Sequence, residues 1–541
     1  MGYKTDSNHG RIKILTDYEL NGIIDHDIKI IPLILAESLP LHSRNVVKMN
    51  NFTDIYYNIM DIEHKTKTVR TDINHKISFP NAKTTVDTIN AYCFSINPKC
   101  TSKEMETQQE IKDFNDCLNL DDSFGKLRKI AFFTGINGLG YRLVLNPSSN
   151  DIEEGKYIKS VGDLDPRDCF CVYSNNVERE KVLGVIFYDA DKIVYGDNGE
   201  VSKVSVKRYN VMTKWHTWLF EEEGTKYTAL IRNLPIGDSI IQMSAMPYSF
   251  SFDSNNVVVA NEVDIPLIEY VRNEARTNDF ELAISIMNAI NRVVSDSLDA
   301  ISQNVDYVFK MQNIDMGEFE EKTDKNGVVY LYNETLEKTK QWLQEHIIAF
   351  KGVEGSTIQP NVDILEVPLK LNEVESLLDF LKKELQIATF IPNREQGTGQ
   401  DTGVAVENRN GFRSLEDVGG IVTNSMLSSE KEFYGVALKF AKKFKKNPFE
   451  KLQLKHITID PLRNKMINIQ ETFNAVSTGL KANIPPELVF ERANFVPDFI
   501  DAAKQYEDYQ TIVAERKKAE ANNPKQEETK QDTNTKEKWW V

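Results

Sequence analysis

The stretch Ile265–Ile301, IPLIEYVRNEARTNDFELAISIMNAINRVVSDSLDAI, constrains the rest of the chain more than any other. It opens as an extended apolar run, Pro266 to Val271, breaks at the polar segment Arg272–Asp279, and then turns helical. Asn278 stands three residues before Glu281, the spacing of a capping box, in which each side chain meets the other's backbone N–H. Ala283, Met287, Ile290, Val294, Leu298 and Ile301 then recur at steps of three and four on one helical face. Leu282, Ile286 and Val293 form a second stripe. A helix apolar on two sides must be covered on two sides. It either lies deep in a large domain or packs against copies of itself around a ring.

A second helix is expected over residues 372–391. Asn372 and Glu375 repeat the capping-box spacing, and Val374, Leu377, Leu378, Leu381, Leu385 and Ala388 make a stripe. It stops at Ile391–Pro392, because proline cannot continue a helix. The polar, glycine-bearing run Asn393–Asp401 (NREQGTGQD) follows, then Thr402–Val406 (TGVAV), where helical character resumes. Between the two helices, Tyr307–Met311, Val328–Tyr332 and Val362–Val367 read as strands, and Asn333–Phe350 as an amphipathic helix on Leu336, Leu343, Ile347 and Phe350. Two long helices bracketing a compact insert make a stalk with a tip.

A chain of 541 residues is expected to hold several domains. No apolar run approaches the roughly twenty residues that span a bilayer, and no basic-then-apolar leader opens the chain. Synthesis in the cytoplasm and no membrane partner are therefore expected. The five cysteines, Cys93, Cys100, Cys117, Cys169 and Cys171, have no disulfide spacing. A formal net charge of −16 argues against wrapping nucleic acid on a basic surface. It does not exclude a protein that lets DNA slide past without gripping it, since a negative wall repels phosphate and keeps contacts weak.

In chain order, Ile28–Leu35 reads as a strand or a buried helix turn, and residues 51–110 as mixed helix and loop. From Glu110 to Gly135 a helical pattern on Phe114, Leu118, Phe124, Leu127, Ile130 and Phe133 stops at Gly135–Gly140 (GINGLG), before the strand Tyr141–Leu145. A phosphate loop needs a strand before it and a helix after it; here the order is reversed, so a helix-to-strand turn is the simpler assignment. Asp163, Asp165, Asp168, Cys169 and Cys171 could suggest a metal cluster, but a turn entering a strand explains the alternation through Tyr173. Val182–Tyr188, Lys192–Tyr195, Val204–Val211 and Trp215–Phe220 form a meander with a hairpin at Asp197–Gly199 (DNG). Trp215 and Trp218 belong to a core or an interface.

A long helix is expected from Val404 to Lys446, interrupted at Gly419–Gly420. Its end carries Lys439, Lys442, Lys443, Lys445 and Lys446, a solvated cationic terminus favoured by the helix dipole or a contact for DNA or a neighbour's carboxylates. Ile467–Val476, Pro485–Asn494 and Phe499–Lys517 are helical, and the polar stretch from Ala521 to Val541 is expected to be disordered. Its terminal Trp539–Trp540 is a docking anchor or nothing. Among the eight histidines none pairs at metal spacing on a helix, and no HExxH, phosphate-loop, GxSxG or CxxC motif occurs. No catalytic residue, metal or cofactor is expected, and a structural role is favoured.

Taken in order, these stretches resemble the portal proteins of tailed double-stranded DNA phages, most closely the siphophage type. IPLIEY and RNEARTNDFE resemble the family's strand and polar break before its first stem helix, NAINRVVSDSLDAI the rest of that helix, and VESLLDFLKKELQIATFIP the second stem helix. Thr402–Val406 is similar to the family's small-Gly-Val-Ala-Leu signature, and IPPELVFERANFVPD to its C-terminal helix and turn. Asp165–Tyr173 and the meander look like its wing. The resemblance covers about residues 110–515; Glu407 stands where the family usually has Lys, and residues 1–109 match poorly.

The resemblance implies an α+β portal fold. Residues 1–260 form the wing, with the meander at 170–232; 261–303 hold the strand and first stem helix; 304–371 form a clip, and 372–391 the second stem helix. Residues 392–402 would be the tunnel loop, 403–459 the tunnel helix and return to the wing, 460–520 a helical crown and 521–541 a tail. It implies a homo-oligomeric ring, commonly a dodecamer, at one capsid vertex of the virion, assembled in the host cytoplasm. Stem packing would fall to Ala283, Met287, Ile290, Val294, Leu377, Leu381 and Leu385. The loop nearest DNA would comprise Asn393, Arg394, Glu395, Gln396, Gly397, Thr398, Gly399, Gln400 and Asp401. Implied partners are the double-stranded DNA in the channel, the terminase large subunit, a head–tail adaptor, and the major capsid and scaffold proteins. Two alternatives stay open: a non-portal ring or adaptor protein of the particle, and an enzyme with a carboxylate site in the wing.

Overall fold

The computed structural model describes residues 12–522 except 15, 26–28, 69–70, 103, 196–200, 223–239, 248–249, 253–257, 261–262, 306–308, 313–319, 324–328, 333, 335–360, 365–370, 392–411, 445–446, 462–468 and 494–498. The chain divides into two compact units. One comprises residues 1–53, 85–279 and 395–541, the other 54–84 and 280–394. Helices and antiparallel sheets alternate in blocks, an α+β arrangement.

In the first unit β1 (Ile12–Ile14) leads to α1 (Asp17–Ile24), which Thr16 and Glu19 cap reciprocally, and to α2 (Ile30–Tyr56). Of the run Ile28–Leu35, Ile30–Leu35 thus opens a helix, and Ile28 lies outside the described residues. The Ile30, Ile31, Ile34 and Leu35 face of α2 is buried together with Phe170, Val172, Leu183, Val211 and Trp218. Then come α3 (Asn81–Phe94), β2 (Lys99–Thr101), α4 (Gln108–Leu120) and α5 (Ser123–Asn137). The pattern expected as one helix from Glu110 breaks at Asp121–Asp122, where Asp122 has φ 50° and the Asp121 carboxylate accepts from the Ser160 amide at 2.8 Å. α5 ends on Gly138 at φ 77°. A Cβ there would lie 2.3 Å from the Arg276 carbonyl oxygen, so only glycine fits this helix-to-strand turn.

β3 (Leu139–Leu145), α6 (Ser149–Glu153), β4 (Lys159–Leu164) and β5 (Cys169–Ser174) follow, and the Asp163–Cys171 stretch is indeed a turn entering a strand. The meander is β6 (Lys181–Tyr195), β7 (Val201–Met212), β8 (His216–Glu222) and β9 (Ile240–Pro247). β6 is one continuous strand where two were expected, because β7 pairs with it throughout, from Gly184↔Met212 to Tyr195↔Val201. The hairpin residues Asp197–Gly199 lie outside the described residues. With β1 parallel to β5, the sheet order is β1-β5-β6-β7-β8-β9. Trp218 is buried in its core, and Trp215 packs against it. β10 (Phe250–Phe252) and β11 (Val258–Ala260) form a small ribbon, and β12 (Leu267–Val271) completes the sheet β12-β3-β4.

The second unit holds a 3₁₀ turn (Glu281–Ala283), α7 (Ile284–Val305), the strands β13 (Phe309–Gln312), β14 (Glu320–Thr323), β15 (Val329–Tyr332) and β16 (Asn361–Ile364), and α8 (Leu371–Thr389). β13 pairs with β16 and β14 with β15, so the expected strands are present with one more. The helix expected at 333–350 lies almost wholly outside the described residues.

Neither capping box forms as expected. Phe280, without a side-chain cap bond, is the N-cap of the 3₁₀ turn. The Asn278 amide instead donates to the Ile136 carbonyl at 2.8 Å, serving the open C-terminus of α5. α8 already begins at Leu371, which leaves Asn372 inside its first turn.

Back in the first unit, α9 (Phe412–Ala441) runs unbroken through Gly419–Gly420. A Cβ on Gly419 would meet the Tyr92 ring at 2.7 Å, so this glycine serves close helix packing rather than a break. β17 (Thr458–Asp460) pairs with β2, and α10 (Ile469–Lys481), α11 (Pro486–Ala493) and α12 (Phe499–Asn522) pack around Val476, Val489, Phe490 and Ala503. The tail from 523 is not among the described residues.

Candidate stem and channel elements

Periodicity places Ala283, Met287, Ile290 and Val294 on one face of α7, and in the structure the first three are buried and Val294 half-buried. The same face continues with a polar stripe that the apolar pattern hid: Asn291, Ser295 and Asp299, all buried. These three hold an extended segment of the same unit. The Phe79 amide donates to Asn291 Oδ1 at 3.2 Å, the Ile77 amide to Ser295 Oγ at 2.9 Å, and the His75 amide to Asp299 Oδ1 at 2.7 Å. The match is geometric. Four helical residues rise about 6 Å and two extended residues about 6.7 Å, so every second amide meets every fourth side chain. Asp299 also binds Lys65 and Lys67, each at 2.7 Å. Burial opposes its charge, but the two ammonium groups outweigh it and hold the carboxyl well below the usual range. A polar residue every four positions, with alternate residues of a remote extended run to serve, was the only available signal.

α8 packs on α7, and its Val374, Leu378, Leu381 and Leu385 are half-buried. Leu377 does not share that burial; it is 45% exposed. With Phe380 at 57%, Ile387 at 66% and Phe390 it forms an apolar stripe that no described residue covers, and Leu282 is 78% exposed. The second stripe assigned to the first helix is thus strongest on the second. The loop residues Asn393, Arg394, Glu395, Gln396, Gly397, Thr398, Gly399, Gln400 and Asp401 and the Thr402–Val406 signature lie outside the described residues. Of the lysines at the end of α9, Lys439 is anchored to Asp264 at 2.7 Å and the Val263 carbonyl at 3.0 Å. Lys443 sits over the Phe440 ring, and burial lowers its pKa to about 8.

The polar break Arg272–Asp279 is a buried ion-pair turn. Arg272 holds Asp279 through two bonds of 2.7 and 2.6 Å and donates to Asn90, while Arg276, at φ 58°, clasps Glu269 at 2.7 and 2.8 Å. Glu269 also accepts from the Tyr141 and Tyr173 hydroxyls. Burial opposes the Glu269 charge, and Arg276 with these hydroxyls still keeps its pKa below the ordinary value. A second hub joins β3, β12 and α9: Arg142 donates to both Glu430 oxygens at 3.0 and 3.1 Å, Tyr270 to one at 2.6 Å, and the guanidinium lies 3.6 Å from the Phe433 ring centre.

An enzyme reading needs convergent carboxylates within residues 1–260, where the alternative expects them. His42, Asp165, Asp168, Asp189 and Glu222 do line one groove there, but most are engaged structurally. Asp165 is clasped by Arg167, Glu222 accepts from Tyr209 at 2.7 Å, and His42 stacks on Phe170 with Nε2 2.7 Å from the Arg167 carbonyl. No metal-holding group occurs among the described residues. Burial lowers the pKa of His42 against its carbonyl bond, so it is neutral and donates from Nε2. The unfolded chain binds this proton more readily. The stability His42 contributes is therefore present above its ordinary pKa of 6.5 and lost as pH falls below it. Melting curves at pH 7.5 and 5.5 should show a larger loss for the native chain than for His42→Gln.

A family model described as phage portal protein, SPP1 Gp6-like, matches residues 36–521. Comparison with individual curated proteins gives no significant match.

Proposed function

The chain belongs to the phage portal proteins, SPP1 Gp6-like, and so serves as the portal, or head–tail connector, of a bacteriophage particle; from that premise we propose that it closes into a ring through the uncovered face of α8. The family is structural rather than enzymatic, it acts at a capsid vertex of the virion, and DNA packaging is its task. What supports the ring is the stripe Leu377, Phe380, Ile387 and Phe390: aromatic and aliphatic side chains at helical spacing, left in solvent by a helix whose opposite face already packs on α7. An apolar stripe of this kind marks an interface. A dodecamer is the number typical of the family, and the copy count of this ring is proposed with it. Ala283, Met287, Ile290, Val294, Leu381 and Leu385 would tie α7 and α8 into one stem, and Leu377 would face the neighbouring copy.

On this proposal residues 1–260 form the wing, 304–371 the clip that receives the terminase large subunit and then the head–tail adaptor, and 460–520 the crown. Major capsid and scaffold proteins would meet the wing, and assembly would take place in the host cytoplasm. Asn393–Asp401 would be the tunnel loop: small polar residues of mixed charge suit changing contacts with a moving DNA rod, which a net charge of −16 would not grip. Deleting Gly397–Gln400 should leave rings intact and reduce packaged DNA at least tenfold in a packaging assay. Normal packaging by the deleted form would remove the loop from this role.

A further inference from the structure

The stripe on α8 needs a surface to meet, and symmetry restricts which. A closed ring of more than two copies joins unlike faces, so the stripe of one copy cannot meet the stripe of the next. The receiving face lies elsewhere on the protomer.

The second unit carries another exposed apolar patch: Tyr57 is 62% exposed, Ile59 49% and Phe79 39%. Its origin is local. Asn58, at φ 68°, turns the chain at the end of α2. The Ile59 amide donates to the Asp54 carbonyl at 2.8 Å, and the Asn58 amide to the Ile55 carbonyl at 3.0 Å. At a helix end of this kind the residue in the Ile59 position usually folds back onto an apolar side chain of the last turn. Here it finds Asp54, and Ile59 stays in solvent. The Asn58 side chain donates to the Ser78 carbonyl at 3.3 Å, and the Ser78 hydroxyl donates back to Asn58 Oδ1 at 2.7 Å. These bonds set Phe79 beside Tyr57 and Ile59. Leu282 and Ile301, also exposed, stand apart at opposite ends of the first stem helix and make no such patch.

Patch and stripe stand at one height. β13 and β16 pair with Phe309 opposite Ile364, so α7 ends and α8 begins beside the same ribbon and the two helices run antiparallel. Asn291, which holds the Phe79 amide, lies fourteen residues before Val305, and Leu385 lies fourteen after Leu371. At about 1.5 Å per residue, each is about 21 Å from the ribbon end of its helix. The patch is therefore level with the part of α8 between Phe380 and Ile387. Rotation about an axis along the stem leaves height unchanged, so it brings the two surfaces of successive copies together.

Resting on the ring reading above, we propose that the Phe380–Ile387 part of α8 packs on Tyr57, Ile59 and Phe79 of the neighbouring copy. The extended segment 75–79 then has two tasks: it satisfies the polar stripe of α7, and it presents the receiving face of each junction.

Two measurements on the full chain test this. Ile59→Asp and, separately, Tyr57→Asp should give folded protomers by circular dichroism and no rings by native mass spectrometry, as Ile387→Asp should. Rings lost with Ile387→Asp but kept with both of the others would overturn this pairing and leave the α8 interface standing. Rings kept by Ile387→Asp would remove that interface and the pairing with it. The second measurement reads contact directly, and decides the matter should an Asp variant unfold. All five native cysteines are buried, so a short bismaleimide reads only introduced thiols. Ile59→Cys and Ile387→Cys chains assembled together should cross-link into dimers, and neither should cross-link alone. Both substitutions on one chain should give a covalent ladder that reaches the full ring. Cross-linking of Ile387→Cys to itself overturns the proposal, as do links confined within one chain or a mixture that yields no dimer.

Discussion

Ile387→Asp, or Phe380→Asp, is expected to give a folded protomer that no longer forms rings. Both side chains are more than half exposed on α8, so a carboxylate there costs the isolated chain little. In a ring the same position would be covered by the next copy. Burying a large apolar side chain contributes about 1.5–3 kcal/mol, and an unpaired charge in its place costs several more. That loss repeats at every junction of the ring. Met287→Asp is the informative contrast: Met287 is fully buried within the single chain, so a charge there should unfold the protomer as well. Native mass spectrometry with circular dichroism separates the cases. Intact rings of Ile387→Asp would remove α8 from the interface.

The second large effect concerns Glu430. It accepts three hydrogen bonds, two from Arg142 and one from Tyr270, and neither partner is reached by solvent. Glu430→Ala would leave a buried guanidinium with Asp121 at 3.5 Å as its remaining carboxylate, in contact with the Phe433 face. Breaking a buried pair in this way typically costs about 3–5 kcal/mol. A fall of that size in unfolding free energy, read from denaturant midpoints, is expected; Glu430→Gln, which keeps an acceptor, should lose less. An unchanged midpoint for Glu430→Ala would mean that Phe433 and Asp121 suffice to hold Arg142.

Much of the fold was legible because it is local. The α7 and α8 stripes, the meander and the strands bracketing the insert each follow from a period of 3.6 or 2 within about a dozen residues. The errors were also local rules that met distant competitors. Asn278 has the right spacing for a cap, and the α5 carbonyls took its amide. Gly419 has the right composition for a break, and Tyr92 needed its missing side chain. Asp189–Asp191 looks like the end of a strand, yet β7 keeps β6 extended past it.

The candidate site divides in the same way. Sequence by itself determined that two apolar helices bracket a small insert and precede a polar, glycine-bearing run, because each of these is written in contiguous residues. Tertiary structure alone decided which stripe remains uncovered, since exposure depends on what packs opposite. It also decided that Arg142 meets a carboxylate 288 residues away and that Asn291, Ser295 and Asp299 answer the amides of residues 75–79. A buried charge or amide takes whichever partner the fold brings within about 3 Å, and no spacing along the chain encodes that meeting.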